Sequence, residues 1–389
     1  MDSGGGLDRR TYWILASLYA LHFGVLGIWI PYWPLYLAGL GLSLSDIGLL
    51  TSVSQGIKVL GPLIWGRLAD RGERKRVFIL SSLFTWITFC LYLAGSDFTF
   101  LLLVTLLYSI STPVSLIDTI AMDVVQKRGG QYGRIRLWGS ISFILFAMAL
   151  GPVTERWGLS TVLWSIALLL FLAVLLALFT PDEQTHRPHD ATAPGWLKQK
   201  GVVWFMIGSF FMQFSHGAYY GFMSLHLEEN GYSKTVIGLL WSLGVIAEVA
   251  VMHYAQHVLA RYSLSRVLSF SIATAWLRWS LYALTIWQPL LLFGQTLHAF
   301  TFGAYHIAAM QRVHQTAPLH GRATAQALYG SLSFGLGGSL GLLASGSLYH
   351  AFGATAMFSL MALAAFLGWL ASLRAGRVFD LGVGDANRD

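Results

Sequence analysis

Leu137–Phe143 reads LWGSISF, and about 190 residues further on Leu328–Phe334 reads LYGSLSF. Nearly the same offset carries Ile47–Leu50, IGLL, onto Ile237–Leu240, again IGLL. Each match stands at the start of an apolar stretch. Apolar stretches resemble one another through composition, but composition does not fix a shared offset or a shared order. The chain therefore reads as a duplication, and the rest of the sequence can be read as two copies.

The duplicated unit is a membrane unit. Of 389 residues, 55% are hydrophobic and 11% are charged, where a soluble chain carries about 25% charged residues. The forty-one glycines and fifteen tryptophans fit membrane helices and their interfaces. This composition excludes a soluble enzyme, a disordered chain and a disulfide scaffold. The single cysteine, Cys90, excludes an internal disulfide and a cysteine-rich metal site. One crossing of the hydrocarbon core takes about 20 apolar residues. Twelve apolar segments can be marked, the first Tyr12–Leu37 and the last Thr355–Leu373. The N-terminus has no cleavable signal pattern, so the first segment is expected to be a permanent span. The expected fold is an all-α membrane protein of twelve transmembrane helices in two pseudo-symmetric six-helix bundles. The bundles are expected at residues 1–180 and 201–389. The polar interval between them, residues 181–200, holds three prolines and reads as a flexible cytoplasmic linker.

Charge gives the orientation. With the N-terminus cytoplasmic, that side collects Arg9, Arg10, the Arg67–Arg76 cluster, Lys127 to Arg136, Lys198, Lys200 and Arg374, while the opposite side keeps Arg156 and Lys234. This asymmetry places both termini in the cytoplasm. The formal charge of +7 thus reads as an orientation signal facing anionic lipid headgroups, and not as a nucleic-acid patch.

Some charges fall inside the spans, where they are expensive and usually face a cavity or a partner. They are Lys58, Asp118, Arg136, Glu248 and Arg278, joined by His216, His298 and His306. Asp118 and Arg136 flank one turn, so a salt bridge across that hairpin is expected. Lys58 and Glu248 occupy equivalent points of the two copies with opposite charge. Three basic groups against two acidic ones favour an anion. A buried carboxylate such as Glu248 is suited to load and release a proton. Tyr219 and Tyr220 lie close to His216 and are candidates to line a cavity. Glycines crowd helix 11, where small residues let helices approach closely. No nucleotide-binding loop, paired catalytic carboxylates or metal-ligand spacing stands out.

Several motifs resemble a known family. The loop GRLADRGERKR, Gly66–Arg76, is similar to the loop motif of the major facilitator superfamily, with Gly66, Asp70, Arg71, Arg74 and Lys75 matching and the second glycine displaced. YGRIRLWGS, Tyr132–Ser140, places Arg136 eighteen residues after Asp118, and His298 follows Arg278 by twenty. Both spacings resemble the oligosaccharide/proton symporter branch. The branch's helix 10 carboxylate is Thr301 here, and its lysine is Gln295. SHGAYYGF, GYSKTVIGLLWSLGVIAEV and QTLHAFTFGAYHIAAM are similar to the bacterial 3-phenylpropionate permeases. The resemblance implies a cytoplasmic gating loop of Gly66, Asp70, Arg71 and Arg74.

The combined expectation is a proton-coupled symporter of a small organic anion, such as an aromatic carboxylate, working by alternating access. Glu248, His298 and Asp118 would couple protons. Arg278, Lys58, Arg136, His216, Tyr219 and Tyr220 would bind substrate. No catalytic residue, metal or cofactor is expected beyond the proton gradient, and no nucleic-acid partner. The chain would act as a monomer in the bacterial inner membrane. A sugar or nucleoside/proton symporter and an efflux carrier are the alternatives within transport. A membrane receptor or scaffold would leave the intramembrane charges unexplained, and an integral-membrane enzyme would lack paired carboxylates or metal-ligand spacing.

Overall fold

The computed structural model describes residues 7–69, 74–111, 113–183 and 195–386. Among them there is no strand. Asp8 starts the first helix by accepting from the Thr11 backbone N–H at 2.9 Å, which satisfies one of the donors a helix start leaves open. That helix, α1 (Arg9–Gly39), contains Pro31 and Pro34. The next pass is divided into α2 (Leu44–Ile57) and α3 (Leu60–Ala69). It is followed by α4 (Arg74–Cys90), then by α5 (Phe98–Ile110) and α6 (Val114–Arg128), and then by α7 (Tyr132–Trp157) and α8 (Ser160–Ala177).

The second copy begins with α9 (Lys200–Ser215) and α10 (Gly217–Glu229), which meet at His216. It continues as α11 (Lys234–Arg261) and α12 (Leu264–Leu284). The tenth pass is α13 (Gln288–Thr296), a π-helical stretch over Ala299–Ala304, and α14 (Tyr305–Thr316). The last passes are α15 (Arg322–Gly330), a second π-helical stretch over Ser331–Gly337, and α16 (Gly338–Ala386). Gly353, with φ 80°, breaks α16 into two crossings, a conformation an L side chain rarely takes.

Eight stretches of the described residues are long and apolar enough to cross a membrane. Leu319–Asp380 is one of them, and Gly353 divides it. The passes through α9–α10, α12 and α13–α14 carry the polar residues and breaks that keep them from reading as single apolar helices. Together these give the twelve passes expected from the sequence.

Packing gathers the chain into two compact units: Met1–Leu42, Ile57–Arg187 and Gly231–Ser242 form unit 1, and Ser43–Gly56, Pro188–Asn230 and Leu243–Asp389 form unit 2. Unit 1 thus includes the start of α11, and unit 2 includes α2. The core of unit 1 is built by Leu15, Tyr19, Phe78, Ile117, Ile120 and Ile135 of α1, α4, α6 and α7. Lipid tails are as apolar as these side chains, so cohesion inside a bilayer comes from close packing and hydrogen bonds. Gly151 shows the close packing: a Cβ there would lie 2.6 Å from Thr235 Cα at the start of α11. Tyr32 of α1 donates to the Ala147 carbonyl at 2.6 Å in the same seam. In unit 2, Gly337 approaches Phe210, where a Cβ would lie 2.7 Å from its carbonyl oxygen.

The expected flexible linker falls mostly on residues 184–194, which lie outside the described residues. Its final part is packed: Trp196 is buried, and its indole N–H donates to Thr316 Oγ1 at 3.1 Å.

Candidate functional site

Unit 2 gathers most of the intramembrane polar residues around Arg278 of α12. The guanidinium is fully buried. It donates from Nη1 to His298 Nδ1 at 3.1 Å and to Thr301 Oγ1 at 3.2 Å, and from Nη2 to Gln295 Oε1 at 3.2 Å. Its Cζ lies 4.2 Å from the Tyr219 ring centroid and 4.7 Å from that of Trp279. A buried charge survives only when its desolvation is offset by partners of this kind. Tyr219 also donates its hydroxyl to Gln295 Oε1 at 2.9 Å. The Gln295 carbonyl oxygen thus receives two donors.

His298 Nε2 lies 3.6 Å from Glu248 Oε2 of α11. Arginine carries donors only, so His298 Nδ1 is the acceptor in its bond to Arg278. The imidazole proton then resides on Nε2, directed at the Glu248 carboxylate. Glu248, His298 and Arg278 form a chain running from a carboxylate through an imidazole to a guanidinium. The His298 ring stacks on Phe302 at 5.5 Å, and Phe302 stacks on His306 at 5.8 Å. A Cβ at Gly303 would lie 3.1 Å from Glu248 Cγ, so the π-helical stretch brings a small residue against the carboxylate. His216 occupies the break between α9 and α10. It bonds through Nδ1 to the Met212 carbonyl at 2.7 Å and packs edge-on against Trp279. Tyr220 stacks with His216 at 5.8 Å.

Unit 1 holds the other candidates. Asp118 Oδ1 accepts from the Tyr19 hydroxyl at 2.5 Å and from the Tyr132 hydroxyl at 3.0 Å. Arg136 lies over the Phe23 ring, 3.7 Å from its centroid. The expected Asp118–Arg136 salt bridge is not formed among the described residues. Two tyrosine hydroxyls satisfy the carboxylate, and an aromatic face carries the guanidinium. Lys58 lies at the break between α2 and α3, 5.7 Å from the Trp29 ring centroid.

Of the loop-motif residues, Gly66 lies on α3 with open space where a Cβ would stand. Asp70 and Arg71 lie outside the described residues. Arg74 forms a buried ion pair with Asp123 of α6. Reading by sequence missed Asp123, the Tyr19–Tyr132 pair on Asp118, and Trp29. Their signals were present: a second carboxylate five residues after Asp118, a tyrosine one turn before Arg136, and aromatics at Trp29, Trp33 and Tyr36 on one helical face.

Non-helical backbone at membrane depth is tolerated where it is buried in protein or lines a watery cavity. Here the breaks coincide with Lys58 and His216, and the first π-helical stretch directly follows His298. Twelve helical passes with polar residues at their breaks define a polytopic carrier of the major-facilitator type. The sequence matches the MFS_1-like family over residues 12–360, and the chain belongs to that family. Its relatives are transporters, not enzymes.

It is 30% identical over 369 residues to the "Probable 3-phenylpropionic acid transporter" of Escherichia coli (strain K12), covering 92% of this chain and 96% of that one. It is 28% identical to the "Uncharacterized transporter YwbF" of Bacillus subtilis (strain 168), over 92% of each. Among solved structures, the nucleoside transporter NupG superposes with a TM-score of 0.80 at 21% identity, over 95% of this chain and 99% of that one. At that identity the likeness establishes the fold.

Proposed function

We propose that this multi-pass membrane protein is a proton-coupled symporter that moves a small organic anion, such as an aromatic carboxylate, by alternating access. One observation carries the reading: the chain Glu248–His298–Arg278, in which a half-buried carboxylate meets a buried imidazole and a buried guanidinium. With Glu248 ionised, its charge offsets that of Arg278 across the imidazole. A proton on Glu248 removes the negative end and leaves the cluster with a net positive charge. The cluster then favours an anion electrostatically, and an anion nearby favours the proton in return. Reciprocity of this kind is what couples two ligands. The similarity to a relative named for 3-phenylpropionic acid supports the substrate class.

In this reading Arg278 sets the electrostatics from inside the protein. Both of its Nη atoms are committed to His298, Thr301 and Gln295, so it acts through the cluster and not as an open hand for substrate. The chain works as a monomer in the bacterial inner membrane, with both termini cytoplasmic and no cofactor beyond the proton gradient. Asp118 is a second proton site, held by Tyr19 and Tyr132. The loop residues Gly66, Asp70, Arg71 and Arg74 gate on the cytoplasmic side, with Arg74 anchored by Asp123.

Proton coupling has a direct assay. Cells or vesicles containing the protein are suspended in weakly buffered medium, and 3-phenylpropionate is added. Symport alkalinises the medium at a rate that saturates with substrate. Saturable uptake without any pH change would remove the proton from the account.

A further inference from the structure

Lys58 stands where α2 has ended and α3 has not begun, inside the candidate span Leu44–Ala69. A cation at membrane depth pairs with an anion or a carbonyl, or faces a watery path. Among the described residues Lys58 forms no hydrogen bond and no ion pair. Its ammonium rests instead over the Trp29 ring. A ring face and the C-terminal end of α2 both favour a positive charge, and these sustain the ammonium when nothing else is bound.

Trp29 is half-buried. It stacks on Trp33 with centroids 4.3 Å apart and planes within 13°, and on Tyr108 at 5.3 Å and 26°. Trp33, Phe89, Tyr92 and Tyr108 behind it are buried. The aromatic wall is therefore held by packing, and Trp29 is its accessible end. An unpaired cation beside a half-buried indole is complementary to a ligand with an anionic head and a flat apolar body.

The other cations fit this role less well. Arg278 is fully buried with both Nη atoms engaged. Arg136 lies at 3.7 Å over Phe23, and its planar guanidinium is suited to remain stacked. The ammonium of Lys58 sits on a flexible four-carbon stem and can leave its ring without breaking a hydrogen bond.

We propose that Lys58 and Trp29 form, within unit 1, a recognition subsite for an aryl carboxylate. The Lys58 ammonium leaves its place beside Trp29 to pair with the carboxylate, and the aryl ring of the ligand packs against Trp29 in that place. This inference rests on the organic-anion reading above and assigns recognition to unit 1. It sets an order of affinity: an aryl carboxylate binds better than an alkyl carboxylate of similar length, and better than the neutral aryl amide.

The test is equilibrium binding to the full-length protein in detergent, by calorimetry at constant pH. The probes are 3-phenylpropionate, hexanoate and 3-phenylpropionamide. Lys58→Met weakens both carboxylates about tenfold or more, the worth of a charge-assisted hydrogen bond, and leaves the amide unchanged. Trp29→Leu weakens the two aryl ligands roughly three- to tenfold, as loss of an aromatic contact should, and leaves hexanoate unchanged. Lys58→Arg and Trp29→Phe keep most of the affinity, which separates recognition from misfolding. Equal weakening of all three ligands by Trp29→Leu overturns the subsite, as does wild-type affinity in either Lys58→Met or Trp29→Leu. Binding with this selectivity but without proton-driven uptake removes the coupling reading and leaves the subsite standing. A wild-type protein that binds none of the three probes removes both.

Discussion

Arg278 and Glu248 illustrate how one intramembrane charge is fixed while another is free to change. Three acceptors surround the Arg278 guanidinium. Lysine at this position keeps the charge but loses the planar fork that reaches them all. Arg278→Lys is therefore expected to lower stability by about 1–3 kcal/mol for each buried acceptor left without a donor, measured as loss of midpoint in detergent unfolding. Glu248 Oε2 meets the cluster 3.6 Å from His298 Nε2. Glu248→Gln imitates its protonated form. The variant is expected to exchange internal for external substrate at wild-type rates while losing gradient-driven accumulation. A variant that still concentrates substrate contradicts the assignment of Glu248. The identities of these residues were legible in the sequence, because a charge within an apolar run is conspicuous. Their partners were less so. Asp118 was expected to hold Arg136 from its spacing alone. The structure gives it instead to Tyr19 and Tyr132, and tyrosine is too common in membrane helices for its hydroxyl to announce a role.

At the scale of elements, the sequence revealed where helices lie better than where they bend. Apolar runs show a helix clearly, but hydropathy does not change when the backbone unwinds for two residues. The breaks at Lys58 and His216 and the π-helical stretches at Ala299–Ala304 and Ser331–Gly337 left no mark of that kind. Only the glycines of helix 11 point to one of them, and in the sequence they suit either a sliding gate or simple close packing. At Gly337 the approach is close, with a Cβ there only 2.7 Å from the Phe210 carbonyl oxygen. The start of α1 is set locally. Asp8 caps α1 and also accepts from Arg128 Nη1 at 2.9 Å. The Thr11 backbone N–H, then its hydroxyl, holds the Asp8 carboxyl below the usual aspartate range. A carboxyl lowered in the folded state stabilises it above the unfolded value and loses that contribution as pH falls through the folded one. Asp8→Asn is thus expected to lower the melting temperature at neutral pH. The difference from wild type should shrink as the pH drops below the ordinary aspartate range near 3.8. A difference that stays constant down to strongly acidic pH would set this account of the cap aside.

For the whole molecule, the duplication first seen in LWGSISF and LYGSLSF leads to the twelve helical passes and to membership of the MFS_1-like family. What the duplication could not convey is how differently the two copies are furnished. The first presents Lys58 beside Trp29 and Asp118 between two tyrosines. The second concentrates a carboxylate, an imidazole and a guanidinium in one cluster. In the proposed account the second loads the proton and the first recognises the anion. The most direct test is uptake of labelled 3-phenylpropionate into proteoliposomes containing the purified full-length protein, with and without an imposed inward proton gradient. The account predicts accumulation above the external concentration with the gradient, and only equilibration when the gradient is collapsed. Accumulation that is the same in both conditions, or no saturable uptake in either, would contradict it.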